Sequence, residues 1–297
     1  RLLRVMARLL EMADVRETAA LYRLRAIRLM GRDAFGDLPG VIRAFEDLGY
    51  RLEARAIAAM YGDPAERIDA CRRFLNERFE ACRTPVAATP FTATWDSRGS
   101  GQPRVSVILT VYAAADKLPT FLRALQLQTL NRRGEMELIV VDSCSPRDEL
   151  TPLRSTELVH PIPTLYVRTP ERETIQTAWN RAIRLARAPY LCLLGVDETM
   201  TPDAFADLTE KLDDDPGLDW VQSDCRVMRV DPHGLQIEDV LAYNRSSYEP
   251  ELVYLDSCYL GPVGAVYRKA IHERVGWFDG TFRGAGDIEF KLRMLPR

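Results

Sequence analysis

Residues 190–198 read "YLCLLGVDE", a dense apolar run that stops at two adjacent acids, Asp197 and Glu198. A short apolar run with a sharp polar end fits a central parallel strand buried on both faces. In open α/β sheets ligands gather at the carboxyl ends of such strands. The acid pair therefore stands where a site is expected, although two acids after any strand can also be plain solvated loop residues. The flanking sequence has to separate these readings.

Working outward, the same kind of run recurs. "VSVILTVY" (105–112), "MELIVVD" (136–142) and "TLYVR" (164–168) read as three further strands. Between them, "LPTFLRALQLQT" (118–129) places Leu118, Phe121, Leu122 and Leu125 on one helical face. In "TPERETIQTAWNRAIRLARAP" (169–189), Thr169 is the expected N-cap, Pro170 the first helical residue and Pro189 the stop. Its expected buried stripe is Ile175, Ala178, Trp179, Ala182, Ile183 and Ala186. Strands alternating with helices predict an α/β fold, a mostly parallel sheet with helices on both faces. The strand ends then share one edge, which carries Tyr112, Asp142, Arg168, and Asp197 with Glu198. An aromatic, an acid, an arginine and an acid pair on one edge suggest a crevice for a nucleotide and a metal ion.

Residues 1–83 read as helical throughout, an all-α region of bundle or repeat type. In "VIRAFEDLGYRLEARAIAAMYG" (41–62), Val41, Ile42, Phe45 and Leu48 recur at helical spacing and Gly49 offers a stop. Leu52, Ala56 and Ile57 begin a second stripe, and Asp63 with Pro64 opens a third helix. Residues 84–103 have no periodicity and many Pro, Ser and Thr, and read as a linker. The third region is 104–297. The chain opens on Arg1 and ends just after a helical pattern, so it is expected to be cut short at its C-terminus.

Composition narrows the function classes. With 297 residues, 46% hydrophobic content and a net charge of −3, the chain can fill a sizeable core and lacks the basic field of a nucleic-acid binder. Cys71, Cys82, Cys144, Cys192, Cys225 and Cys258 include no Cys-x-x-Cys pair, which argues against a disulfide framework or zinc site. No apolar stretch reaches the roughly 18 residues a membrane helix needs. A cytoplasmic setting is expected, with peripheral attachment to the inner membrane face as an option.

The turn after the first strand, "TVYAAADKLP", holds no glycine, which excludes the dinucleotide fingerprint and the Walker phosphate loop. A diphosphate bound here needs another counter-charge, and a divalent cation on Asp197 is the economical choice. At this point the sequence resembles the family 2 glycosyltransferases of GT-A fold, over residues 104–293. The resemblance rests on four blocks in order: "VSVILTVY", "LIVVDSCSPRDE", "NRAIRLARAPYLCLLGVDE" and "GPVGAVYRKAIHERVGWFDGTFRGAGDIEFKLR".

The resemblance implies an inverting transfer of sugar from a nucleotide-diphosphate donor, UDP-linked by expectation, to the hydroxyl of a glycan or surface polysaccharide. Thr110 and Tyr112 would line the nucleobase pocket and Asp142 would bond base or ribose. Asp197 would hold Mn²⁺ or Mg²⁺, and Asp287 would act as general base. Arg168 would meet the donor phosphates or form a surface ion pair. Three positions depart from the family pattern. Gly195 replaces the first acid of Asp-x-Asp, with Glu198 as a compensating donor contact; Gly286 replaces the acid before Asp287; and Ala113 replaces the Asn after the tyrosine. These losses keep open a catalytically impaired scaffold, with the helical region binding a protein or membrane-associated partner. The residue-level alternatives are a turn cap for Asp197, a turn-former for Asp142 and a helix N-cap for Asp287. Trp277 and Phe278 are expected in the core, and Asn180 as a structural hydrogen-bonder.

Overall fold

The computed structural model describes residues 19, 38–51, 54–55, 57–58, 76–84, 90–230, 236–243, 264–282 and 286–294. The chain divides into two compact units, Arg1–Ala81 with Thr281–Gly286, and Cys82–Gly280 with Asp287–Arg297.

In the first unit, α1 (Leu38–Asp47) buries Val41 and Phe45. These side chains cluster with Ala54 and Ile57. Gly49, at φ 84°, reverses the chain in the left-handed region that favours glycine. The Tyr50 N–H then donates to the Phe45 carbonyl at 2.8 Å. The expected third helix, with Asp63 and Pro64, begins outside the described residues.

The second unit follows the expected alternation. Its elements are β1 (Ala93–Asp96), β2 (Val105–Val111), α2 (Leu118–Leu125), α3 (Thr129–Arg132), β3 (Met136–Asp142), α4 (Leu150–Ser155), β4 (Thr164–Arg168), α5 (Ile175–Leu185) and β5 (Tyr190–Leu194). Then come α6 (Ala204–Asp214), β6 (Trp220–Gln222), β7 (Cys225–Val230), β8 (Gln236–Tyr243), β9 (Ala265–Arg268), α7 (Ile271–Val275) and α8 (Gly286–Met294). Seven strands form one sheet in the order β1-β4-β3-β2-β5-β9-β6, and β7 and β8 pair separately. The four central strands are parallel, while β1, β6 and β9 add antiparallel flanks.

Alternation along the strands builds a core on each face. Val105, Val107 and Leu109 of β2 and Leu138 and Val140 of β3 meet Phe121 and Leu122 of α2 and Phe205 and Leu212 of α6. Ile108, Ile139 and Val141 face the other way, onto Ala178, Trp179, Ala182 and Ile183 of α5 and Phe290 of α8. Each fully buried aliphatic or aromatic side chain contributes about 1.5–3 kcal/mol, which explains why the four central strands are apolar almost end to end.

Two expectations are corrected here. Residues 93–96, inside the expected linker, form β1 and pair with β4 in the register Ala93 to Arg168. The helix after β4 starts at Ile175, not at Pro170, with the Thr174 side chain as its cap. Thr169 is engaged elsewhere: its N–H donates to the Asp142 carbonyl at 2.9 Å and its Oγ1 to the Glu171 carbonyl at 2.7 Å. As a consequence Ile175 is 46% exposed, while Ala178, Trp179, Ala182, Ile183 and Ala186 are buried as expected.

Candidate functional site

The carboxyl ends of the parallel strands form one edge. Val111 stands beside Asp142, and Asp142 beside Arg168, in direct register. Leu109 pairs with Leu194, which brings the Gly195–Glu198 turn to the same edge. Thr110 is half-buried there, and Tyr112 is 41% exposed.

The loops at this edge are tightly fixed. Asp142 has no solvent exposure. Its Oδ2 accepts from Tyr166 Oη and Arg168 Nη1, each at 2.6 Å, and its Oδ1 from the Ser145 N–H at 2.6 Å. Arg168 Nη2 also donates to the Ser145 carbonyl at 2.7 Å. Burial, reinforced by Asp142, pushes the Tyr166 phenol above the ordinary tyrosine range, so it stays a donor. Asp142 therefore presents no surface to a base or ribose. It clamps the edge from beneath, and Arg168 is its ion-pair partner.

A second layer holds the turn after Tyr112. The Ala113 N–H donates to Ser145 Oγ at 2.9 Å, and Ser145 Oγ donates to Glu149 Oε1 at 2.6 Å. Glu149 Oε1 also accepts the Ala114 N–H at 2.8 Å. Ala113 and Cys144 sit at φ 53° and 51°, a conformation side chains seldom adopt. Two such residues flank the edge, and the hydrogen bonds around them maintain that geometry.

At the acid turn, the Glu198 N–H donates to the Gly195 carbonyl at 3.1 Å. Glu198 Oε2 folds back to accept the Gly195 N–H at 2.7 Å. Burial raises the Glu198 pKa, with the Asp197 charge adding to the rise and the Gly195 hydrogen bond opposing it. The Asp197 side chain is 72% exposed, and Lys117 Nζ lies 4.0 Å from its Oδ2. A Cβ built on Gly195 would meet Asp197 Oδ1 at 3.0 Å and Glu198 Cδ at 3.3 Å. The two carboxylates thus converge over Gly195, where the bare backbone leaves them room.

This donor set fits a hard divalent ion only in an open form. Among the described residues no group of three or more His, Cys, Asp or Glu side chains could cage a metal. Mg²⁺ and Mn²⁺, however, commonly use one or two carboxylates and complete their shell with water and substrate phosphates.

Asp287 lies one residue inside α8, so it is not the N-cap. Among the described residues no hydrogen bond or ion pair joins it to the strand edge. Glu289 of the same helix turns inward and accepts from Arg293 at 2.6 and 2.9 Å. Asn180 brackets Phe278, donating to its carbonyl at 2.7 Å and accepting its N–H at 3.0 Å. Phe278 stacks on Phe290 at 4.2 Å, a core role.

Several edge residues escape a reading of the sequence. Ser145 and Glu149 lie in a loop, where periodicity says nothing about direction. Tyr166 looks like any strand aromatic. Lys117 and Arg172 carry no local signal either, and Arg172 rests its Cζ 3.9 Å above the Tyr112 ring centroid.

The fold is an α/β sheet whose carboxyl edge bears an exposed tyrosine, an exposed acid and a fixed glycine-free turn. The chain belongs to glycosyl transferase family 2, whose model matches residues 106–276. It is 23% identical over 194 residues to the uncharacterized glycosyltransferase YwdF of Bacillus subtilis, across 64% of this chain and 67% of YwdF. It is 26% identical over 196 residues to the uncharacterized protein y4gI of Sinorhizobium fredii, across 66% of this chain and 20% of y4gI.

Among solved structures it resembles the mannosyltransferase PcManGT of Pyrobaculum calidifontis in complex with GDP-Man and Mn²⁺, with TM-score 0.46, 21% identity, and coverage of 81% of this chain and 63% of that one. It also resembles S. aureus TarS 1-349 in complex with UDP-GlcNAc, with TM-score 0.47, 17% identity, and coverage of 65% and 53%. The ligands of those proteins do not carry over to this chain at such scores. No helix among the described residues is long and apolar enough to cross a membrane.

Proposed function

We propose that this chain transfers a sugar from a nucleotide-diphosphate donor to the hydroxyl of a glycan or surface-polysaccharide acceptor, with inversion at the anomeric carbon. The observation that carries this reading is the edge itself: Tyr112 and Asp197 are both exposed on the turns that follow adjacent central strands. Tyr112 offers its ring to the nucleobase beside Thr110. Asp142, fully enclosed, and Arg168, paired with it, hold the platform beneath it. Asp197 would hold a divalent ion, with Glu198 shaping the turn that presents it. Such an ion supplies charge stabilisation at a departing diphosphate.

Asp287 is assigned as general base by the family pattern, removing the acceptor proton as the hydroxyl attacks. Positioned proton removal typically contributes about 10²–10⁴-fold in rate. UDP is the expected nucleotide, and the first unit is proposed to engage an acceptor-side partner.

The decisive experiment is titration calorimetry of UDP, GDP and dTDP with and without Mn²⁺, on wild type, Asp197→Ala and Asp287→Asn. Metal-enhanced binding that is lost in Asp197→Ala and kept in Asp287→Asn supports the reading. Asp287→Asn should also abolish transfer. Failure of all three nucleotides to bind would favour the scaffold reading. The Glu198 carboxylate turned back onto Gly195, which leaves Asp197 as the exposed acid of the turn, is the feature consistent with that alternative.

A further inference from the structure

The strand edge carries two cations with unusual surroundings. Arg172 is exposed and, among the described residues, has no carboxylate partner; its guanidinium lies instead on the Tyr112 ring at 3.9 Å. The segment that presents it is firmly held. The Glu173 N–H donates to Ser143 Oγ at 2.7 Å. The Glu173 carboxylate accepts from Arg181 Nε at 2.7 and 2.9 Å. Thr174 Oγ1 donates to the Gly280 carbonyl at 2.9 Å. On the turn after β2, Lys117 Nζ stands 4.0 Å from Asp197, with more than half of its side chain exposed. A firmly held segment thus presents one cation that, among the described residues, has no acid partner, and the turn after the exposed tyrosine presents one that is loosely paired.

Both cations are cheaply released. An exposed guanidinium–ring contact is weak, and a surface ion pair at this distance contributes little. A diphosphate offers each a better partner, because charge-assisted bonds from Arg or Lys to phosphate are shorter and stronger than either contact. The glycine-free turn after β2 cannot cradle phosphate with backbone N–H groups as a glycine-rich loop does. Side-chain cations can fill that role.

We propose that Arg172 and Lys117 are the protein's own counter-charges for the diphosphate of a bound nucleoside diphosphate. The base displaces Arg172 from the Tyr112 face, the guanidinium turns onto the phosphates, and Lys117 leaves Asp197 to join it. Nucleoside diphosphate binding then persists without a divalent ion, though more weakly. This rests on the donor site proposed above and adds two residues to it.

The test is titration of UDP, GDP and dTDP, and of the matching nucleosides, into the full chain in EDTA and in Mn²⁺. Proteins compared are wild type, Arg172→Ala, Lys117→Ala and the charge-retaining Arg172→Lys. Wild type should bind a nucleoside diphosphate in EDTA. Each alanine variant should lose about tenfold or more of that affinity, the scale expected for a bond to a charged group. Arg172→Lys should recover part of the loss. Nucleoside binding should not weaken in Arg172→Ala, because removing the guanidinium frees the ring face.

Binding that occurs only with Mn²⁺, or alanine variants with wild-type affinity in EDTA, would overturn this proposal and leave the donor site standing. An equal loss of nucleoside and diphosphate binding would also overturn it, by showing a structural role. No nucleotide binding in either condition would remove the donor site and this proposal together.

Discussion

At Asp142 one enclosed carboxylate accepts from the Ser145 backbone, the Tyr166 hydroxyl and the Arg168 guanidinium. Removing it would strand three donors, one of them charged and partly buried. Breaking a buried pair from one side typically costs about 3–5 kcal/mol. Asp142→Ala should therefore lower the unfolding free energy by that amount, read as a lower urea midpoint at unchanged slope, since the surface exposed on unfolding is the same. A shift below about 1 kcal/mol would mean that the edge is held without the clamp. The sequence located Asp142 at a strand end but not the direction of its side chain. As the last residue of β3 it could have projected past the strand, toward a ligand, or into the layer beneath, and the Tyr166 and Arg168 partners decide for the interior. Asp197 differs because the Gly195–Glu198 turn carries it out of the sheet into solvent.

Among elements, the central strands were legible because burial on both faces demands nearly unbroken apolar runs, a pattern that needs no knowledge of neighbours. The start of α5 was not. Thr169-Pro170 and Thr174 both satisfy local capping rules, and the choice was made by tertiary bonds from Thr169 to β3, which the local sequence does not encode. The helix also secures the segment at 277–280. Asn180, 1% exposed, supplies both hydrogen bonds to the Phe278 backbone. Asn180→Ala should leave a buried N–H and a buried carbonyl unpaired, at about 1–3 kcal/mol each. Chemical denaturation should then show a loss of about 2–6 kcal/mol, with the α5 periodicity itself undisturbed. A loss under about 0.5 kcal/mol would place the Phe278 bonds elsewhere. β1 is illegible for a related reason: its four residues, "ATWD", are half-buried or exposed, and become a strand only when β4 offers its edge.

The second unit as a whole buries a titratable group between β9, α7 and α8. His272, 5% exposed, stacks on Trp277 at 5.3 Å and lies 5.1 Å from the Phe290 ring. Its Nδ1 donates to the Gly276 carbonyl at 3.0 Å, since a carbonyl can only accept, and its Nε2 faces the Tyr267 hydroxyl at 3.2 Å. Burial lowers its pKa to about 4; the Gly276 bond opposes the shift, and the charges of Arg293 and Lys269 add to it. The unfolded chain, with an ordinary histidine near 6.5, binds the proton first. Stability from this group is therefore complete above about pH 6.5 and is lost as pH falls toward 4. At about 1.4 kcal/mol per pKa unit, the full loss is about 3 kcal/mol. Carboxylates that pair in the folded state lose stability over much of the same range, so the wild-type profile alone does not isolate the histidine. The difference between wild type and His272→Gln does, because every other titration is common to both. Urea unfolding at intervals from pH 7.5 to 4.5 should show the two stabilities converging as pH falls, with wild type losing more. Parallel profiles would mean that His272 does not resist protonation in the folded state, and that the aromatic layer around it tolerates a charge.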